Sequence, residues 1–168
     1  MILVTVGTHE QPFDRLVAAA AALGGDEELV VQYGTSTLPH GRGKWVDFMS
    51  FDELAEYASR ARVVVCHAGV GSIVLARRYG HRPIIMPRRP FHSEHVDEHQ
   101  MQLSRRLERA GIVTVVEDAE ALAAAVAAPP AVPDAGAGGG LSGPAALSAD
   151  VRGVLERLGA PRLTARAA

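Results

Sequence analysis

The stretch VVVCHAGVGSIVLARRYGHRPIIMP, residues 63–87, decides how the chain is read. It opens as a continuous apolar run of strand length, turns on two glycines, continues with a helical pattern, breaks at Gly80, and returns to a second apolar run at 83–86. Strand, helix, strand within 25 residues is the βαβ unit, whose strands are parallel and whose crossover is right-handed. A tight turn needs one glycine. Here Gly69 and Gly71 flank Val70 and are followed at once by Ser72, so the bare backbone is expected to approach something other than its own chain.

The same alternation extends outward. Apolar runs recur at 2–6, 29–33, 44–48, 63–67, 83–86 and 112–116, near-continuous as in strands covered on both faces. Helical spacing separates them. Pro12 suits a first helical turn, and Phe13, Leu16, Val17 and Ala20 repeat to about Leu23, where Gly24 and Gly25 stop the pattern. Ser50 or Asp52 can cap a helix carrying Leu54, Tyr57 and Ala58; residues 70–79 and 93–110 give two more, the latter closing at Gly111. The expected fold is α/β: a doubly wound, Rossmann-like parallel sheet of about six strands, with ligands gathered at the strands' carboxyl ends.

Composition narrows the function. With 168 residues, 48% of them apolar, the chain supports one well-cored domain. Basic residues number 17 and acidic ones 19, intermixed, so nucleic acid is not the expected partner. The single cysteine, Cys66, lies in an apolar strand and fits a reducing, cytoplasmic setting. The opening MILVTV is shorter than the ~20 residues of a membrane span, so the chain is expected not to cross a membrane by itself. Residues 1–128 read as the domain, the Pro, Gly and Ala-rich stretch 129–146 as a flexible linker, and 147–168 as a short helix and tail.

In the central stretch, the amides of residues 70–72 become the donors at a helix N-terminus, which is an anion site. Gly69 and Gly71 remove side chains that would keep a phosphate away, and Ser72 adds a hydroxyl; alternatively the glycines only let helix and strand pack closely. Gly7, Thr8, His9 and Glu10 follow the first strand, and Gly34, Thr35 and Ser36 follow the second, on the same rim or as ordinary turns. The segment 92–103 contains H-x-x-E-H as His95, Glu98 and His99. Its spacing permits a metal, but no second helix with a placed Glu accompanies it, so no metal is expected; a solvated helix start or a sugar-holding turn remains.

Three segments carry a resemblance. HAGVGSIVLARRYGHRPIIMPRRPFHSEHVDEHQMQLSRRL (67–107), VTVGTHEQPFDRL (4–16) and VDFMSFDELAEYASRARVVVCHAG (46–69) together resemble, over about residues 1–118, the nucleotide-sugar-binding C-terminal half of GT-B glycosyltransferases of the MurG-like family 28. The similarity is greatest to the small catalytic subunits of split UDP-sugar transferases, including the dolichol-linked N-acetylglucosaminyltransferase subunit and PssE-like exopolysaccharide subunits.

The resemblance implies roles by position. Gly7, Thr8, Gly69, Val70, Gly71 and Ser72 would meet a UDP diphosphate. Phe48 and Met49 would hold uracil, or simply pack in the core. Glu94, His95, His99 and Gln100 would face the donor sugar. His9 and Glu10 are the catalytic candidates, because their loop faces the acceptor side. Arg88 and Arg89 would neutralise the diphosphate or lie on the surface. Leu75 stands where the family carries a ribose-binding Glu, which leaves the ribose to Glu94 or Asp97, or held more weakly.

The implied activity is inverting transfer from a UDP-sugar, with no cofactor or metal, to a lipid-linked polyprenyl-diphosphate acceptor in polysaccharide or glycan assembly. The implied partner is a membrane-associated acceptor-binding subunit that would hold this chain at the inner face of the membrane. A homodimer and a non-catalytic nucleotide-sugar-binding module are the alternatives.

Overall fold

The structure, a computed structural model, describes residues 1–38, 41–89, 99–129 and 131, with the backbone alone for His99 and Gln100. The unit Met1–Pro133 contains all of them. The expected helix at 147–168 lies outside the described residues, as does the linker apart from Pro129 and Ala131.

Six strands form one parallel sheet: β1 (Ile2–Thr5), β2 (Leu29–Gln32), β3 (Lys44–Val46), β4 (Val63–His67), β5 (Ile84–Met86) and β6 (Thr114–Val115), in the order β3-β2-β1-β4-β5-β6. Alternation of side chains along each strand divides the core into two layers. Register aligns Val4 with Val31 and Val65, and Val65 with Ile84. That row packs against Leu16, Val17 and Ala20 of α1 (Asp14–Ala21) and Leu122 and Val126 of α5 (Ala119–Ala127).

One residue back, Leu3, Val30 and Val64 are aligned and face the other way. They pack with Met49, with Ala58 of α2 (Phe51–Arg60), and with Leu75 and Ala76 of α3 (Val70–Arg78). Each aliphatic side chain so buried contributes about 1.5–3 kcal/mol. Burial on both faces is what makes the strands read as continuous apolar runs. The last helix of the set, α4 (His99–Arg109), packs on β6.

The helix ends follow local chemistry. Ser50 caps α2 and forms a capping box with Glu53: Ser50 Oγ accepts the Glu53 amide, and the Glu53 carboxylate accepts the Ser50 amide at 2.8 Å. Gly111 ends α4 at φ +69, as a C-terminal glycine does. Helix α1 begins at Asp14, two residues past Pro12, because its entry is capped from another loop. Ser36 Oγ accepts the Phe13 amide at 2.7 Å, and Asp14 accepts the Thr37 amide at 2.7 Å. Helix α5 is an addition to the sequence reading, started by Asp118, whose carboxylate accepts the Ala121 amide at 2.8 Å.

Strand order places the site. β1 and β4 are neighbours, yet the chain leaves β1 toward β2 and β4 toward β5. At that reversal the loops diverge and a crevice opens at the carboxyl ends of the strands.

Candidate functional site

The loop after β1 is held by a buried glutamine. Gln32, 2% exposed, accepts from the Thr5 hydroxyl at 2.6 Å and from the Gly7 amide at 3.2 Å. Its own amide group donates to the carbonyls of Gly7 at 3.0 Å and Asp47 at 3.1 Å. The ends of β1, β2 and β3 are thereby tied together, and both Gln32 N–H donors are engaged. Gly7 turns at φ +78, a conformation that costs any residue with a Cβ.

Facing this loop, α3 begins without a side-chain cap. Gly69 is its N-cap, and the first returning bond runs from the Ile73 amide to the Gly69 carbonyl at 3.1 Å. The amides of Val70, Gly71 and Ser72 precede that bond and point out of the helix end with its positive dipole.

The glycines differ in what requires them. A Cβ at Gly7 or at Gly69 would overlap the His67 imidazole, which lies between them. At Gly71 a Cβ would have nothing within 4 Å among the described residues. Within a helix, glycine costs about 0.5–1 kcal/mol relative to alanine. Nothing in the described fold asks for glycine there, so its reason is sought in the cleft it faces.

The other end of the cleft is aromatic. Phe48 is 64% exposed and Phe51 62% exposed, although exposed side chains of this size are the costly exception. The Phe48 amide is held by the Asp47 carboxylate at 2.8 Å. Met49 and Leu75 are buried in the α2/α3 core, with Leu54 packed against it. The cleft between the two ends measures about 430 Å³, within the range of small-ligand sites.

Of the residues singled out in the sequence, Gly7, Thr8, Phe48, Met49, Gly69, Gly71 and Ser72 line this cleft. Val70 is half-buried in the first turn of α3. His9 and Glu10 are exposed on the next turn of chain and do not line it. There His9 Nδ1 accepts the Gln11 amide at 3.1 Å, and the Glu10 carbonyl accepts the Thr35 hydroxyl at 3.0 Å. His99 and Gln100 open α4; Glu94 and His95 lie outside the described residues, as does Asp97. Among the described residues no group of three or more His, Cys, Asp or Glu is gathered as a metal site.

One alternative is decided and one reading is corrected. Thr35 and Ser36 are scaffold, bonded to the Glu10 carbonyl and the Phe13 amide, so their loop braces the first loop. Arg88 neither neutralises a phosphate at the surface nor lies on it. It is 1% exposed, donates to the carbonyls of Gln11 at 2.9 Å, Pro12 at 3.0 Å and Val6 at 3.3 Å, and stacks 4.6 Å from the Phe13 ring centroid. Arg89 pairs with Glu117 at 2.6 Å.

The sequence reading missed Gln32, Thr5, Phe51 and Leu54 as cleft residues. His67 is the one titratable side chain among the described lining residues. Cys66, beside it, is buried, which pushes its thiol up to about 12 and leaves it protonated and unreactive.

Comparison with known proteins agrees with this fold. Residues 1–129 match the model of the glycosyltransferase family 28 C-terminal domain. The UDP-N-acetylglucosamine transferase subunit ALG13 of Yarrowia lipolytica is 29% identical over 137 residues, covering 73% of this chain and 67% of the relative. Among the described residues no helix is long and apolar enough to cross a membrane. The chain belongs to glycosyltransferase family 28, and its residues 1–129, which hold the parallel sheet and the cleft at the carboxyl ends of its strands, are the C-terminal domain of that family.

Proposed function

We propose that this chain is the UDP-sugar-binding catalytic subunit of an inverting transferase that passes its sugar to a lipid-linked polyprenyl-diphosphate acceptor. The observation that carries the reading is the uncapped start of α3 at the strand-order reversal, with Gly71 turned to the cleft. The donor's diphosphate lies on the amides of residues 70–72, beside Gly7 and Thr8, and uracil lies against Phe48 at the other end. Glu94, His95, His99 and Gln100 are proposed to face the donor sugar.

In the transfer, the acceptor oxygen bonds to the anomeric carbon while the bond from that carbon to the β-phosphate oxygen breaks. The leaving electron pair stays on the diphosphate, where the helix N-terminus stabilises it without requiring a metal. The acceptor proton passes to a base. His9 and Glu10 are the candidates, since their turn continues from Gly7 and Thr8 and is exposed to whatever covers that rim.

The relative's designation as a subunit supports a second polypeptide that supplies the acceptor, holds the chain at the membrane, and excludes water from the cleft. The test is transfer from a UDP-sugar to a polyprenyl-diphosphate-linked acceptor by the chain alone and with its co-expressed partner. Binding without transfer alone, and transfer once reconstituted, is the expected result. Full transfer by the lone chain overturns the two-subunit reading.

A further inference from the structure

The turn that follows the Gly7–Thr8 loop is tied down along its backbone. The Glu10 carbonyl accepts the Thr35 hydroxyl at 3.0 Å, and the carbonyls of Gln11 and Pro12 accept the Arg88 guanidinium at 2.9 and 3.0 Å. The Phe13 amide donates to Ser36 Oγ at 2.7 Å. Arg88 and Ser36 are themselves buried. His9 and Glu10 are thus exposed side chains on a fixed backbone, as a proton acceptor in catalysis needs to be.

The two differ in the lone pairs they can offer. An amide N–H donates only to an unprotonated ring nitrogen. The bond from the Gln11 amide to His9 Nδ1 at 3.1 Å therefore puts the proton of the neutral imidazole on Nε2. The lone pair left to the ring is the one on Nδ1, and the turn already engages it. To take a proton, His9 would have to release the Gln11 amide and loosen the backbone that carries both residues. Glu10 is under no such constraint. An ionised carboxylate only accepts, with about four lone-pair sites on its two oxygens, and the Glu10 anchor is its main-chain carbonyl.

We infer that Glu10 is the base of the proposed transfer and that His9 is a positioning residue, which fixes the turn through Nδ1. This rests on the transferase reading above. As the acceptor oxygen bonds to the anomeric carbon and the bond to the β-phosphate oxygen breaks with its electron pair, the hydroxyl proton moves to a Glu10 carboxylate oxygen. Water then takes it from the protonated carboxyl group.

Long-range proton–nitrogen correlations of the His9 ring in the isotope-labelled chain give the first test. The neutral ring is expected to carry its proton on Nε2, and a neutral ring protonated at Nδ1 overturns the inference. Transfer by the chain co-expressed with its partner gives the second. Glu10→Gln, nearly equal in size, is expected to lower kcat by at least about a hundredfold, as removal of a general base does, with UDP affinity unchanged. His9→Ala, which frees the turn, should lower kcat by about tenfold. His9→Asn has no basic nitrogen, but its Oδ1 can accept an amide two residues on as Nδ1 does, so it should recover most of that loss. A His9→Asn no better than His9→Ala, or a Glu10→Gln that keeps more than about a tenth of the wild-type kcat, overturns the assignment. Either outcome with the wild-type pair active removes this inference alone. No transfer by the wild-type pair removes the transferase reading with it.

Discussion

Gly69 and His67 are fitted so closely that a Cβ on Gly69 would overlap the imidazole ring. Gly69→Ala is expected to destabilise the domain by about 1–3 kcal/mol, the cost of overpacking. Because the strain comes from one pair, adding His67→Ala should recover part of the loss, and thermal melts of the single and double variants measure it. Additive losses would place the strain elsewhere.

Gln32→Leu fills similar volume but takes the partner from the Thr5 hydroxyl and the Gly7 carbonyl, while the Gly7 amide keeps Thr5 Oγ and the Asp47 carbonyl keeps the Gly34 amide. Buried groups left unsatisfied cost about 1–3 kcal/mol each, and some of these will find water at the cleft. A net loss of roughly 2 kcal/mol or more, read from denaturant unfolding, is expected. Nucleotide affinity should fall with it, since the Gly7 loop loses its tether.

Arg88→Lys separates the two roles considered for that arginine. Three backbone carbonyls and the Phe13 ring receive its planar guanidinium, and an ammonium cannot match them. The variant keeps the charge but should melt lower by several degrees, as a loss of about 1–2 kcal/mol does in a domain of this size. An unchanged melting temperature with weakened UDP binding would restore the phosphate role.

Acid sensitivity should centre on Glu27. Arg62, held at 2.6 Å, and the Met1 ammonium, at 2.8 Å, bring its carboxyl down to about 2. A carboxyl depressed in the fold stabilises above its ordinary value near 4.5 and loses that contribution as pH falls toward 2. Glu27→Gln should therefore cost stability at pH 7 and flatten the decline between those limits. Identical pH profiles for variant and wild type would contradict the assignment.

What could be read from the sequence follows from the range of the forces involved. The six strands were legible because two covered faces make an apolar run, and α2 because Ser50, one of the two residues read as able to cap it, stands at its start. Helix α5 was not: in AEALAAAVA the alanines blur the stripe on which only Leu122 and Val126 are buried. At the cleft, Gly71 and Ser72 were legible because a helix that starts directly after a strand is a local feature. Gln32 and Arg88 were not, since their partners lie 15–27 and 76–82 residues away and only the fold brings them together. An arginine in a sequence reads as a surface or phosphate-binding charge until the carbonyls that surround it are known.

The measurement closest to the central claim is calorimetric titration of UDP into the wild-type chain and into Gly71→Val, with ADP and GDP as controls. Since no described protein atom lies within 4 Å of a Cβ at Gly71, the variant should fold, as circular dichroism would verify. It should bind UDP at least about tenfold more weakly, the equivalent of 1.4 kcal/mol, while the wild type prefers UDP to ADP and GDP. A folded Gly71→Val with undiminished UDP affinity would contradict the account, because the diphosphate would then lie away from the start of α3.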